Sequence, residues 1–189
     1  MGKQGNKRKV LSNWRRQLTK KEKNSCRKIK EKAKVCQKAS RGVSSRLLTT
    51  YLAGTDHFIG VFAEDELSKT TVSAFPSLFI VNLDSKKLPG SHWIAIGVFS
   101  QKIEIFDPLG FDIFSWPRIP CHLLNFLLKF SVGRKVCVSK TIQSESSTLC
   151  GFYCAFYILA RNFLSFSDIQ SKFSSLLQNN DNLLIKLFS

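Results

Sequence analysis

A cysteine at the start of an apolar segment is the first candidate for chemistry in this chain. Cys150 opens a stretch that is apolar nearly all round through residue 164, which is typical of a buried helix. Cysteine is the strongest side-chain nucleophile near neutral pH, and a helix N-terminus favours its thiolate. We expect Ser147 or Thr148 to cap this helix, and Gly151 to leave room where a substrate backbone would approach. Cys150 is therefore the candidate nucleophile.

A histidine and an aspartate flank a predicted β-hairpin. His92 begins the apolar run 92–99, a short polar turn joins it to the strand 102–106, and Asp107 follows. If residue 99 pairs with residue 102, His92 and Asp107 lie within one diagonal step across the hairpin, which is close enough for a hydrogen bond. Asp107 would then orient the imidazole ring and leave its other nitrogen free to face a thiol. The spacing predicts a Cys-His-Asp triad.

A glutamine precedes the candidate nucleophile on the loop that leads to its helix. Gln143 lies seven residues before Cys150. Its side-chain NH₂ could donate to a developing oxyanion beside the backbone N–H of Cys150. We therefore predict that Gln143 contributes to an oxyanion hole.

The remaining cysteines have simpler interpretations. Cys154 lies one helical turn beyond Cys150, and we expect it to pack in the core. Cys121 and His122 are adjacent, so on a helix they would point to different faces. Cys26 and Cys36 have no partners at metal-ligand spacing. We expect no metal site.

The elements that must position these residues indicate an α+β domain. Short apolar runs typical of strands come first, and mostly helical patterns follow. The predicted strands are 57–62, 78–83, 92–99, 102–106 and 135–139, and the predicted helices are 120–130, 149–164, 167–177 and 182–188.

The positive charge is concentrated at the N-terminus. The 189-residue chain has a formal charge of +16, and residues 1–50 carry 17 Lys and Arg against two acidic residues. We therefore predict a basic arm over 1–50, flexible or conditionally helical, and a near-neutral domain over 51–189.

Such an arm would bind nucleic acid through phosphate contacts, with little sequence preference and strong salt dependence. A solvated, solubilising tail is the alternative. The candidate nucleic-acid-binding residues are Lys7, Arg8, Lys9, Arg15, Arg16, Lys20 and Lys21. Two of these clusters, 7–9 and 20–21, also suit a nuclear-import signal.

Hydropathy argues against membrane insertion and secretion. The chain has no run of 18 apolar residues, and its first 30 residues lack an apolar stretch. We therefore expect no membrane contact and a reducing, intracellular compartment.

The combined motifs resemble the adenovirus protease (adenain) family, in the clan shared with SUMO-type ubiquitin-like-protein proteases. The segments that carry the likeness are 91–97 (SHWIAIG), 106–111 (FDPLGF) and 143–154 (QSESSTLCGFYC), with weaker similarity at 58–60 and 80–82. The resemblance covers roughly residues 52–165. It implies a central mixed sheet with flanking helices and peptide-bond hydrolysis through an acyl-enzyme, often next to Gly.

The resemblance also implies a role for each matching residue. Cys150 would be the nucleophile, His92 the general base and acid, Asp107 the orienting residue and Gln143 the oxyanion donor, while Trp93 would form a wall of the substrate site. The acidic residue is Asp here, where mastadenovirus enzymes have Glu, but Asp is usual in the SUMO-type branch.

The family further implies activation by DNA and by a viral peptide, with no cofactor required for the chemistry itself. Cys137 lies on a predicted strand that could bind such a peptide, although its distance from Gln143 does not match the family.

Together these observations predict a monomeric viral or virus-like-element cysteine endopeptidase. We expect it to cleave virion precursors in association with DNA, in the host nucleus and the virion. The alternatives are a deSUMOylase or deubiquitinase using the same residues, and an inactive nucleic-acid-binding virion protein.

Overall fold

A computed structural model describes residues 42–111 and 119–188 of the chain. Its strands are β1 (Phe58–Ala63), β2 (Ser77–Asn82), β3 (Trp93–Val98), β4 (Lys102–Phe106) and β5 (Lys135–Val138). Its α-helices are α1 (Ser45–Leu52), α2 (Cys121–Ser131), α3 (Cys150–Arg161), α4 (Phe166–Ser171) and α5 (Leu177–Phe188), and a 3₁₀ helix spans Glu64–Lys69.

The five strands form one mixed sheet in sequence order. The outer pairs β1–β2 and β4–β5 are parallel, whereas β2–β3 and β3–β4 are antiparallel. In the β3–β4 hairpin, Ala95 pairs with Phe106, and the Phe99 N–H donates to the Lys102 carbonyl. The predicted hairpin register is therefore confirmed, as is the α+β fold with a mixed central sheet.

Successive strand residues point to opposite faces of the sheet, and each face has its own apolar core. Leu78 and Ile80 of β2 pack on the side of α3, whereas Phe79 and Val81 pack on the side of α2. All residues of α3 from Cys150 to Ala160 are buried, which agrees with the apolar pattern around the helix. Helices α1, α4 and α5 cover the same face as α3.

A buried ion pair fixes the C-terminal end of α3 to the sheet. Glu104 of β4 is fully buried and accepts hydrogen bonds from Arg161 Nε at 2.7 Å and from the Tyr157 hydroxyl at 2.8 Å. Lys102 Nζ lies 2.8 Å from the same carboxylate. Cys150 is at the other end of this helix, so the hydrogen bonds and ion pairs of Glu104 help to fix the position of its thiol.

The folded domain begins earlier than residue 51, the predicted boundary. Helix α1 starts at Ser45, where the Ser44 Oγ accepts from the Leu47 N–H at 3.3 Å. Val43 and Leu48 are buried in the core beside α3. The apolar side chains of residues 43–52 therefore belong to the domain, although Ser and Arg between them make the segment look like a linker.

The two C-terminal helices differ in extent from the predicted ones. Helix α4 begins at Phe166, where the Ser165 hydroxyl caps it by accepting from the Asp168 N–H at 3.1 Å, and it ends at Ser171. The Asn180 side chain then holds the turn by accepting from the Ser174 N–H at 2.7 Å. Helix α5 starts at Leu177, five residues before the predicted position.

No helix within 42–111 and 119–188 is long and apolar enough to cross a bilayer. The predicted nucleic-acid-binding residues, together with Cys26 and Cys36, lie outside the described residues.

Candidate active site

One groove runs across the ends of β3 and β4 and the start of α3. It has a volume of about 920 Å³, and Cys150, His92, Gln143 and Trp93 all line it. Asp107 lies behind His92 and is 1% exposed. The structure thus brings the predicted triad and the glutamine to a single surface, which a substrate can reach.

The hairpin register sets the contact between His92 and Asp107. His92 directly precedes β3 and Asp107 directly follows β4, and their side chains meet with Nε2 2.8 Å from Oδ1. The Leu109 N–H also donates to this carboxylate oxygen, at 2.9 Å. With Nε2 committed to Asp107, the opposite nitrogen of the ring is left for the Cys150 thiol, which lies within hydrogen-bonding reach.

These neighbours favour the charged imidazole. Burial alone would lower the pKa of His92, but the hydrogen bonds to Asp107 and Cys150, with the negative charges of both, raise that pKa to about 9. His92 therefore carries a proton at neutral pH and faces the Cys150 sulfur.

A serine that the sequence did not single out fixes Asp107. The Ser139 hydroxyl, at the end of β5, accepts from the Asp107 N–H at 2.8 Å and donates to the Asp107 carbonyl at 2.6 Å. Both residues are buried. The β4–β5 pairing therefore fixes the backbone of the triad's acid.

The predicted side-chain cap of α3 is wrong. Leu149 is the N-cap residue, and no side chain caps the helix. The Ser147 hydroxyl accepts from the Leu149 N–H at 3.3 Å, one residue too early to reach the first turn, and donates to Asp181 Oδ1 at 3.1 Å. The N–H groups of Cys150 and Gly151, in the first turn, have no intrahelical partner by the geometry of a helix start. They are available to an oxyanion beside the sulfur.

The loop before α3 is hydrogen-bonded to Pro108, the residue that follows Asp107. The Pro108 carbonyl accepts from the N–H groups of both Ile142 and Gln143, each at 2.9 Å. Gly110, at φ +70°, allows this approach, since a Cβ there would overlap the backbone of Thr141. Gln143 is thereby placed next to the strand that ends in Asp107.

The Gln143 side chain is buried and oriented. Its Nε2 donates to the Ser147 carbonyl at 2.8 Å, while its Oε1 has no hydrogen-bond partner within the described ranges. The amide has two N–H donors, and this bond uses one of them. The second can serve an oxyanion in the groove.

Two residues of helix α5 form hydrogen bonds with the loop that precedes α3. Asn180 donates to the Ile142 carbonyl at 2.8 Å, and Asp181 Oδ1 accepts from the Tyr153 hydroxyl at 2.7 Å as well as from Ser147. Burial and the Asp181 carboxylate raise the pKa of Tyr153 far above its usual range. Sequence inspection missed both residues, because an Asn-Asp pair near the C-terminus carries no signal of a contact with residue 142.

The two predicted substrate-binding residues differ in position. Trp93 lines the groove, as expected for a wall of the site. The space over Gly151 is filled by Val43, Trp93 and Leu48, so that a Cβ at residue 151 would overlap the Val43 Cγ1 methyl group. The glycine is required by this packing, and its contact with a substrate stays a prediction.

The other cysteines of the described ranges, Cys121, Cys137 and Cys154, lie away from the groove. Cys154 is buried, donates to the Trp93 carbonyl at 3.3 Å, and has its pKa raised well above the usual value by burial. Cys121 is exposed, and Cys137 is half-buried on β5 opposite Glu104. Over the described part of the chain, no group of three or more His, Cys, Asp or Glu side chains could hold a metal ion.

A thiol, an imidazole and a carboxylate in hydrogen-bonded sequence, beside free backbone N–H groups, form the constellation of the thiol hydrolases. Sequence comparison narrows this class. The profile of the adenovirus endoprotease family matches residues 58–183, and the chain belongs to that family.

Individual relatives agree with this assignment. The chain is 34% identical over 90 residues to a protease of bovine adenovirus C serotype 10, covering 43% of this chain and 46% of the relative. It is 28% identical over 123 residues to a protease of bovine adenovirus 2, covering 60% and 56% of the two chains. The chain thus spans about half the length of these curated relatives.

Solved structures include a SUMO protease Ulp1 whose catalytic cysteine is oxidised to a sulfinic acid. It matches with a TM-score of 0.45 at 14% identity, covering 92% of this chain and 98% of the other.

Proposed function

We propose that this protein is a cysteine endopeptidase in which Cys150, His92, Asp107 and Gln143 perform the reaction. The observation that carries the proposal is the His92 ring, held by Asp107 on one side and facing Cys150 on the other, in an open groove. Membership of the adenovirus endoprotease family supports it.

The first half of the reaction forms an acyl-enzyme. His92 takes the proton of the Cys150 thiol, and the sulfur attacks the scissile carbonyl carbon, forming a C–S bond and moving the carbonyl electrons onto oxygen. The Cys150 N–H and the Gln143 amide hold this oxyanion. When the intermediate collapses, the peptide C–N bond breaks and His92 gives its proton to the leaving amine.

The second half releases the product. Water enters the groove, His92 takes a proton from it, and the resulting hydroxide attacks the thioester. The C–S bond breaks and the electron pair returns to the sulfur of Cys150. Throughout, Asp107 keeps the imidazole oriented and stabilises its charge.

Replacement of the nucleophile tests the proposal. We expect Cys150→Ala to lower kcat/KM for peptide cleavage by at least about 1,000-fold, because every step passes through the sulfur. The exposed Cys121 provides a matched control, and Cys121→Ala should cleave at the wild-type rate. Full activity in Cys150→Ala would refute the mechanism. Inactivity of the wild type on every peptide, with and without DNA, would favour the inactive virion protein.

The substrate class is proposed from the family resemblance. We infer that the substrates are viral precursor proteins with small residues such as Gly beside the cut, as the resemblance implies, and Trp93 lines the groove with Cys150. Fluorogenic peptides with Gly at the cut, compared with ubiquitin and SUMO C-terminal probes, separate this from a deSUMOylase or deubiquitinase. Preferential cleavage of the ubiquitin-like probes would contradict our choice.

The proposed partners are nucleic acid and an activating peptide. The charge of the 1–50 arm supports DNA association and a location in the host nucleus and virion.

Strand β5 is at the edge of the sheet and has Val136 and Val138 exposed, so an extended peptide could pair there, near Cys137. We propose that the enzyme is a monomer and needs no cofactor for its chemistry.

A further inference from the structure

A short segment between the basic arm and α1 forms part of the groove wall. Residues 42–44, which we call the strap, line the groove together with Cys150 and His92. Val43 of the strap is 5% exposed, although its neighbours Gly42 and Ser44 are exposed. A single side chain in an otherwise open segment is thus buried beside the candidate active site.

Both polar and apolar contacts fasten Val43 to the site. The Trp93 indole Nε1 donates to the Val43 carbonyl at 3.1 Å. On the other side, the Val43 Cγ1 methyl occupies the space that a Cβ on residue 151 would need. Gly151 is therefore a glycine because the strap lies against it.

These contacts fall on the residues that follow the two reacting side chains. Trp93 comes directly after His92, and Gly151 comes directly after Cys150. The strap therefore contacts the neighbour of each member of the reacting pair. We propose that Val43 is a positioning residue, which holds Trp93 and Gly151 and through them sets the distance between the His92 ring and the Cys150 sulfur.

The inference rests on the proposed function of this pair, and it adds a residue that is part of neither the triad nor the oxyanion site. A displacement of about 1 Å between reacting groups can lower a rate on the order of 100-fold. Truncating the Val43 side chain empties the space over Gly151, next to Cys150, and leaves the backbone hydrogen bond to Trp93 in place, so it is a direct way to cause such a displacement. An increased separation would also weaken the hydrogen bond between the ring and the sulfur.

Alkylation of Cys150 in the full-length chain tests this without any peptide substrate. Iodoacetamide labelling would be followed by mass spectrometry of the Cys150 peptide between pH 6 and 9. We expect Val43→Ala to slow labelling near pH 7 by about tenfold, and to change its pH dependence, because the protonated His92 ring would lie farther from the sulfur. Val43→Ile, which keeps the contact, should retain the wild-type rate and pH profile.

Val98→Ala is the matched control. Val98 is a buried valine of β3 in the core on the far face of the sheet, so the same truncation lowers stability without touching the strap. Trp93→Phe is a second variant, which removes the indole donor to Val43 together with part of the ring that packs there, and it should lower the labelling rate in the same direction as Val43→Ala.

The outcomes are distinguishable. If wild-type Cys150 is alkylated no faster than the exposed Cys121, the proposed function fails. If wild-type Cys150 is alkylated faster than Cys121, but Val43→Ala and Val98→Ala alter its rate and pH profile equally, the strap inference alone is overturned. A Val43→Ala labelling profile that matches the wild type likewise overturns it.

Discussion

At the scale of single residues, the proton on His92 decides how the site works. The ring lies between the Asp107 carboxylate and the Cys150 sulfur, and these two groups outweigh burial in raising its pKa to about 9. A protonated ring already holds the proton that the leaving amine requires.

The first prediction is the alkaline limit of activity. His92 must be protonated to act as the acid, so kcat/KM should be retained below pH 9 and fall as the pH rises through about 9. Asp107→Asn removes one of the charges that raise the pKa of His92. The pH at which kcat/KM falls should therefore move towards the ordinary histidine value of about 6.5. The measurement is kcat/KM against pH with a fluorogenic peptide.

Two results would contradict this prediction. One is a wild-type kcat/KM that already falls near pH 6.5, which would show that the pKa of His92 is not raised. The other is an Asp107→Asn enzyme whose kcat/KM still falls near pH 9, which would show that the Asp107 carboxylate does not raise that pKa. Asp56→Asn, at an exposed aspartate, is a control for the charge change alone.

The triad could be predicted from the sequence, whereas the residues that support it could not. His92 and Asp107 are related by the register of one hairpin, which local pairing determines. Ser139 lies 32 residues from Asp107, and Val43 lies 50 residues from Trp93. Only the folded chain brings such residues together. Gly151 was interpreted from the sequence as leaving room for a substrate backbone, whereas in the structure Val43 lies against it.

At the scale of elements, α3 is fixed to the sheet at both ends. Its N-terminus is bordered by the strap and by the loop bearing Gln143, and its C-terminus is held by the pair between Glu104 and Arg161. An apolar helix could slide along a flat apolar sheet, since dispersion contacts have little direction. The buried ion pair specifies one position along the helix axis, and therefore one position for the thiol.

The second prediction concerns this ion pair. Glu104→Gln keeps the shape of the side chain but leaves the largely buried Arg161 without its anion, which should lower the free energy of unfolding by about 3 kcal/mol. The measurement is urea denaturation of the full chain. Glu145→Gln makes the same chemical change at an exposed carboxylate and should leave the stability within about 0.5 kcal/mol of the wild type. Equal stability of the two variants would show that the pair does not hold α3.

Element types could be predicted from apolar periodicity, but the burial of Glu104 could not. A charged residue alternating with isoleucines in β4 is typical of a strand with one solvated face. Here Tyr157 and Arg161 cover that residue from α3, more than 50 residues away. The error in the C-terminal helices has a similar origin. Asn180 stabilises a turn and the preceding loop through its side chain, which no apolar pattern reveals.

At the scale of the whole molecule, the basic residues and the candidate catalytic residues lie in different parts of the sequence, and the strap that follows the basic arm lines the groove. Residues 1–41 contain 16 Lys and Arg against two Glu, and the strap follows immediately at residue 42. Any polyanion bound to the arm is therefore linked to a segment that contacts Trp93 and Gly151. This continuity also determines how the arm should be removed, because a deletion extending past residue 41 would damage the groove.

The last prediction tests the arm while leaving the strap in place. In the full-length chain, replacing Lys7, Arg8, Lys9, Arg15, Arg16, Lys20 and Lys21 with Gln should weaken binding to duplex DNA. It should also reduce the slope of log K against log salt by up to about 6, if all seven contact phosphates. Two unrelated DNA sequences should give the same affinities, because phosphate contacts carry no base information. Labelling of Cys150 without DNA should equal that of the wild type, since the strap is intact. An unchanged salt slope would mean that these seven residues form a solvated tail, and the DNA association would then have to be abandoned.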